Sequence, residues 1–286
     1  MSKKQKIFFS LLLATLCFAL LFIFYPKHIT RYAVFAGYNA DKKISPYVLS
    51  YLRALNEIAD GVVYIADSEL LPEEEKKLNG LVMHTAHQRH EEYDFGSYKR
   101  GYNWLQKNGY LEKADELIFA NDSTYAPLSS FKEMFEQMQK RKELDFWGDL
   151  QNSRFTPHLQ SYFLVFRKPV IKSKAFAAFL QNVHHQEPPS LYITEYEVKL
   201  TSYLSSLGYK WDSCMPYNKM QNLSYSDKNA YPLTLIKKYH HQFIKRSLFH
   251  GRFQAKENLK DLLAYLQTAS PVLYQNIIED TSHEKP

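Results

Sequence analysis

The sequence predicts an α/β fold with a mixed, mostly parallel sheet flanked by helices. Three observations carry this. Short apolar runs at residues 32–36, 61–66, 114–120 and 162–166 have strand length. Segments of helical periodicity separate them, as between the strands of a parallel sheet. The strand ending in Ala120 delivers Asn121, Asp122 and Ser123 at its tip, where open α/β sheets place ligand chemistry.

The elements follow in order. Residues 46–59 carry Val48, Leu52, Leu55 and Ile58 on one helical stripe. After the strand at 61–66, Asp67 and Ser68 cap a charged helical turn at 72–77, and residues 81–83 read as a brief third strand. A helix is expected from Tyr98 to Gln106. Residues 130–142 form another, with Phe131, Met134, Phe135 and Met138 on one face. Residues 173–182 are helical, 192–193 a short strand, and 195–207 a helix closed by Gly208. Residues 256–267 make a terminal amphipathic helix, and the tail is expected to be disordered.

Residues 7–25 contain no charged side chain, which is enough for one membrane-spanning helix. No small-x-small cleavage site follows, so an uncleaved anchor is expected rather than a signal peptide. The expected organisation is an anchor at 1–26, a folded domain at 27–275 and a disordered tail at 276–286. Net charge is +6 and the pI about 9.0, a mild basic excess that suits an anionic partner or a membrane surface. No dense basic patch is present, which argues against nucleic acid. The two cysteines cannot form a disulfide framework.

Several clusters bear chemistry. A carboxylate at a strand tip, as Asp122 is, can hold a hard divalent cation that bridges a diphosphate. The same Asn-Asp-Ser run also reads as an Asx turn leaving a strand. In Asp94-Phe-Gly-Ser-Tyr-Lys-Arg-Gly101, Gly96 allows close backbone approach, Asp94 can accept from a ribose or base, and Arg100 can meet phosphate. Phosphate-loop and dinucleotide consensus motifs are absent. Asp145 stands near Trp147, an acid close to an indole that could stack on a sugar or anchor the core. His158 and Gln160 are further hydrogen-bonding candidates. Thr194 and Glu197 fit a capping box, and Glu197 also reads as a general base at a helix start.

These clusters together resemble the rhamnan synthesis F family of bacterial polysaccharide-synthesis proteins. The matching residues are Asp94-Phe-Gly-Ser-Tyr-Lys-Arg-Gly101, Asn121-Asp-Ser-Thr-Tyr-Ala-Pro127, Asp145-Phe-Trp-Gly148, His158-Leu-Gln-Ser-Tyr-Phe163, Tyr196-Glu197 and Phe243-Ile-Lys-Arg-Ser-Leu-Phe249. The resemblance runs from about residue 32 to 249. It implies a glycosyltransferase of the GT-A type that moves a sugar, often rhamnose, from a nucleotide-sugar donor to a cell-surface polysaccharide or lipopolysaccharide acceptor. A divalent cation, Mg²⁺ or Mn²⁺, would sit at Asp122, where this chain has one carboxylate and the common Asp-x-Asp motif has two. Glu197 would be the base, with Leu200 and Gly208 at the spacings found in inverting enzymes. Asp94, Gly96, Arg100, Asn121, Ser123, Lys245 and Arg246 would hold the donor. Asp145, Trp147, His158 and Gln160 would line the glycan or lipid-linked acceptor. Nucleotide-sugar supply then places the domain on the cytoplasmic side of a bacterial inner membrane, held by its single anchor. The alternative is a non-catalytic, membrane-anchored binding or assembly protein that keeps the transferase fold.

Overall fold

Strands whose two alternating faces are both apolar must be covered on both sides, and such strands form the middle of the sheet here. The computed structural model describes residues 28–224, 227–251 and 253–282. Strand β1 (Arg31–Gly37) is followed by helix α1 (Pro46–Asn56), β2 (Gly61–Ala66), β3 (His84–His87), α2 (Tyr93–Lys107) and β4 (Glu116–Asn121). The two-residue strand β5 (Thr124–Tyr125) leads to α3 (Lys132–Gln139) and β6 (Phe146–Gly148). A small hairpin of β7 (Gln151–Asn152) and β8 (His158–Leu159) precedes β9 (Phe163–Arg167). Then come α4 (Lys174–Gln181), a π-helical turn (Ile193–Val198), α5 (Lys199–Ser206) and β10 (Trp211–Ser213). Helix α6 (Pro232–Tyr239), strand β11 (Ile244–Lys245), α7 (Leu259–Ala269) and α8 (Pro271–Ser282) close the chain.

The main sheet has seven strands in the order β10-β6-β9-β4-β1-β2-β3. Only β9 runs antiparallel to its neighbours, β4 and β6. Every residue of β4 is buried. Ile118 and Ala120 face a core completed by α1, α3, α7 and α8, while Leu117 and Phe119 face one completed by α2, α4 and α5. Helix α2 lies directly on β1. A side chain at Gly101 would put its Cβ 2.3 Å from Val34 Cγ1, so that crossing requires glycine.

The predicted α/β class stands, with local differences. The third strand lies at 84–87 rather than 81–83. Its His-Thr-Ala-His sequence hides it, because an edge strand is only half-buried and needs no apolar run. Helix α2 begins at Tyr93, so Asp94 and Gly96 sit in its first turns and not in a loop. Residues 192–193 are helical, and the Thr194 hydroxyl donates to the Leu191 carbonyl, so Thr194 caps nothing. The tail expected to be disordered from residue 276 is helix α8 as far as Ser282. Residues 7–25, read as an anchor, lie outside the described residues. Among the described residues no helix is long and apolar enough to cross a membrane.

Candidate active site

The carboxyl edge of the sheet carries an acid just beyond three of its strands: Asp67 after β2, Asp122 after β4 and Asp149 after β6. They have different work. Asp67 accepts from the backbone N–H groups of His90 (2.7 Å), Glu91 (2.9 Å) and Tyr93 (3.2 Å). It also pairs with Arg89 at 3.0 Å. It therefore fixes the turn into α2, from whose first turn Asp94 reaches Asn121. Asp149 is fully buried, accepts from the Tyr162 hydroxyl and lies 2.6 Å from His241 Nε2.

Asp122 occupies the crevice between β1 and β4, where the chain changes its direction of travel across the sheet. Its Oδ2 accepts the Tyr38 N–H at 2.7 Å. The turn itself is held by Asn121, whose Oδ1 accepts from the Ser123 N–H (3.0 Å) and hydroxyl. Both sequence readings of this run thus coexist: Asn121 makes the Asx turn and leaves the Asp122 carboxylate for other work. Asn121 Nδ2 donates to Asp94 Oδ2 at 2.6 Å, which joins the two clusters. Burial pushes the Asp122 carboxyl up to about 6, against the opposing pull of Arg246 and the Tyr38 N–H. Burial, then the charges of Asp122, Glu197 and Asp67, push Asp94 up to about 8. Acids perturbed by one another in a cleft are a mark of function.

Glu197 lies in the π-helical turn, a distortion frequent at functional sites. Its Oε2 accepts from the Ser161 N–H (2.8 Å) and hydroxyl, and its Oε1 is 3.6 Å from His158 Nε2. Burial would raise this carboxyl, but His158, Lys245 and Ser161 together hold it below the usual range. His158 Nδ1 faces the Thr156 carbonyl at 2.7 Å. Burial would lower that imidazole, yet Glu197 and the Thr156 carbonyl together raise it above its ordinary value. Gln160 bridges Asn229 and Asp227, and Asp227 lies 3.7 Å from Lys245 Nζ.

Strand β11 pairs antiparallel with β5, Ile244 opposite Tyr125 and Lys245 opposite Thr124. The Arg246 N–H then bonds the Ser123 carbonyl at 3.0 Å. This ladder brings Lys245 and Arg246 from the far end of the sequence to the Asn-Asp-Ser turn. Arg246 Nη1 reaches the Asp122 carbonyl at 3.4 Å, and its guanidinium carbon sits 4.8 Å over the Tyr47 ring. The arrangement gathers buried acids at the carboxyl edge of the sheet, with Arg246 acting on Asp122, Lys245 on Glu197, and Asp94 under the influence of both acids. Among the described residues no three His, Cys, Asp or Glu side chains come together to hold a metal. Asp122 with Asp94 beside it still suits a hard cation that takes its remaining oxygens from a diphosphate and water.

A family model described as rhamnan synthesis protein F matches residues 62–284. The chain belongs to this family. An uncharacterized protein, y4gN, of Sinorhizobium fredii (strain NBRC 101917 / NGR234) is 26% identical to this rhamnan synthesis F protein over 153 residues, 52% of this chain and 39% of that one. A virulence protein, VirA, of Vibrio anguillarum is 25% identical over 132 residues, 46% of this chain and 41% of that one. The chain thus spans about two-fifths of the curated relatives it matches. Among solved structures, a cytidylyltransferase from Leptospira borgpetersenii is 9% identical, with 86% of this chain and 98% of that one covered, at TM-score 0.39. Core-mannan synthase A from Aspergillus fumigatus, in an Mn/GDP form, is 9% identical, with 52% and 63% covered, at TM-score 0.33.

In this rhamnan synthesis F protein, four residues expected at the site stand elsewhere. Asp145 precedes β6 at the opposite edge of the sheet, where its carboxylate accepts the Lys210 N–H at 2.8 Å. It is level with Glu116, a whole strand from Asp122, on the order of 20 Å at the usual strand rise. Trp147 is fully buried and packs on Phe135 with ring centroids 5.0 Å apart, so it cannot line an acceptor. Its replacement by alanine should cost about 3–5 kcal/mol of stability. Thermal unfolding of Trp147→Ala, with Trp147→Phe as the milder comparison, checks this. Gly96 is buried under Glu92, and a Cβ there would stand 2.2 Å from Glu92 Cβ. Arg100 is engaged by Glu92 and the Gly96 carbonyl. Both shape the start of α2 rather than the cleft. Asp149, His241, Tyr38 and Asp280 were not foreseen. Of these, Asp149 had a local signal, since it follows a strand as Asp122 does.

Proposed function

We propose that this protein is a glycosyltransferase of GT-A type, acting between a nucleotide-sugar donor and a cell-surface polysaccharide or lipopolysaccharide acceptor, with inversion at the anomeric carbon and rhamnose as the leading donor sugar. The observation that carries the reading is that Asp94 lies within electrostatic reach of both Asp122 and Glu197 at the carboxyl edge of the sheet, with Arg246 acting on Asp122 and Lys245 on Glu197. Membership of the rhamnan synthesis F family supports it. Residues 28–282 would form the transferase unit, held on the cytoplasmic side of a bacterial inner membrane by the segment before it. A reporter fused to the C-terminus tests that placement.

In this reading Asp122, with Asp94 beside it, would hold Mg²⁺ or Mn²⁺. Such a cation supplies charge neutralisation to a diphosphate leaving group. Arg246 and Lys245 offset the negative charge that grows on that diphosphate as the sugar departs. Glu197 takes the proton of the acceptor hydroxyl, while His158 and Ser161 fix its orientation. Asn121 and Ser123 shape the donor turn. His158 and Gln160, both buried, would support the acceptor side from beneath, through Glu197 and Asp227.

Incubating purified protein with UDP-, GDP- and dTDP-sugars, with and without Mn²⁺, should release nucleoside diphosphate. Absence of release and of any nucleotide-dependent thermal shift would remove the donor reading. A thermal shift without turnover would instead favour a non-catalytic binding or assembly protein, the reading that the lone Asp122 carboxylate favours.

A further inference from the structure

Asp280 reaches the candidate site from the last helix. Helix α8 is anchored against α1, where Asn276 Nδ2 bonds Ser50 Oγ at 3.1 Å. Its Asp280 side chain is 9% exposed. That carboxylate accepts from the Tyr125 hydroxyl at 2.6 Å and lies 3.2 Å from His250 Nε2. It also takes Arg246 from the side, with Nε at 3.1 Å and Nη2 at 3.0 Å. A two-point, largely desolvated pair of this kind orients a guanidinium far better than an exposed ion pair does.

The geometry restricts Arg246 along one edge and over one face. Asp280 occupies the side made by Nε and Nη2. The Tyr47 ring covers one face, 4.8 Å from the guanidinium carbon. Nη1 is left turned toward the strand tip, where it meets the Asp122 carbonyl at 3.4 Å.

We propose that Asp280 is a positioning residue for diphosphate recognition: it holds Arg246 so that the Nη1 edge meets the phosphates of the donor. The inference rests on the nucleotide-sugar reading above and adds the terminal helix to the donor site.

The test uses the full chain as wild type, Asp280→Asn and Asp280→Glu. Each is titrated with UDP, GDP and dTDP and with the matching monophosphates, in the presence of Mn²⁺, and its melting temperature is recorded. The diphosphate that binds the wild type should bind Asp280→Asn about tenfold or more weakly, the monophosphate changing less than about threefold, because the loss falls on an Arg–phosphate contact. Asp280→Glu should recover part of that loss, and it keeps the test open should the asparagine variant not fold. Unchanged diphosphate affinity in a folded variant would overturn the proposal. So would an equal loss for both nucleotides, which marks a purely structural role. Tighter binding would overturn it too, by showing that Asp280 competes with phosphate for Arg246. Failure of the wild type to bind any of these nucleotides would overturn the donor reading itself, and this proposal with it.

Discussion

Replacing Asp122 by asparagine is expected to lower sugar transfer by roughly a thousandfold while the protein stays folded. The two halves of that expectation have separate causes. Activity falls because the only carboxylate of the Asn-Asp-Ser turn is gone, and with it the charge that faces a cation and diphosphate. The fold survives because the asparagine carbonyl still accepts the Tyr38 N–H that Asp122 Oδ2 now receives. Alanine would leave that N–H without its acceptor, at about 1–3 kcal/mol, so it is the less clean variant. Ionised Asp122 is also a burden on the native state. Its folded pKa, near 6, lies above the ordinary value of 3.8. The stability tied to this group is therefore full below pH 3.8 and is lost as pH rises through 6. Asparagine escapes that loss, so at pH 7–8 the variant should melt no lower than wild type. The same pKa sets an acid limb: kcat/KM for the donor should fall below about pH 6 as Asp122 takes up a proton. Calorimetry and assays of nucleotide release check all three, and a fully active Asp122→Asn protein would sink the assignment.

How far the sequence could foresee this depends on the separation between partners. Asp122 was legible because one apolar strand leads straight into it, a local pattern. The sheet was legible for the same reason: β1, β2 and β4 are buried on both faces and read as unbroken apolar runs. Strand β6 is only three residues long, too short for any periodicity, so the residues alone leave Trp147 open between a sugar stack and the core, and the family resemblance places it on the acceptor side. Asp145 misled in the same way, since nothing local says to which end of the sheet a loop belongs. The Asp149–His241 pair joins residues 92 positions apart, and Asp280 meets Tyr125 across 155. Contacts of that kind are products of the topology. Asp280 was hidden further by a polar tail whose composition suggests disorder, although α8 finds its partner on α1.

Exchange of Glu197 for glutamine should separate chemistry from donor binding. Glutamine keeps an oxygen for the Ser161 N–H and hydroxyl, so the π-helical turn should hold and nucleotide affinity should change little. It cannot take a proton from an acceptor hydroxyl, and kcat should drop by about 10²–10⁴. A donor KM unchanged beside a collapsed kcat is the signature of a group that acts in the transition state. The pH profile gives a second check. His158, Lys245 and Ser161 hold Glu197 below the ordinary carboxylate range despite its burial, so it is ionised wherever Asp122 is. The acid limb near pH 6 therefore does not belong to Glu197, and the residual activity of Glu197→Gln should keep it. Stability should respond with the opposite sign to that at Asp122. A depressed carboxyl stabilises the fold above the unfolded value of 4.5 and loses that contribution as pH falls through its folded pKa. Glu197→Gln should accordingly melt below wild type at neutral pH, with the gap closing in acid. If kcat survives the exchange, Glu197 is the anchor of the Ser161 loop, and the base must be sought among the other acids of the cleft.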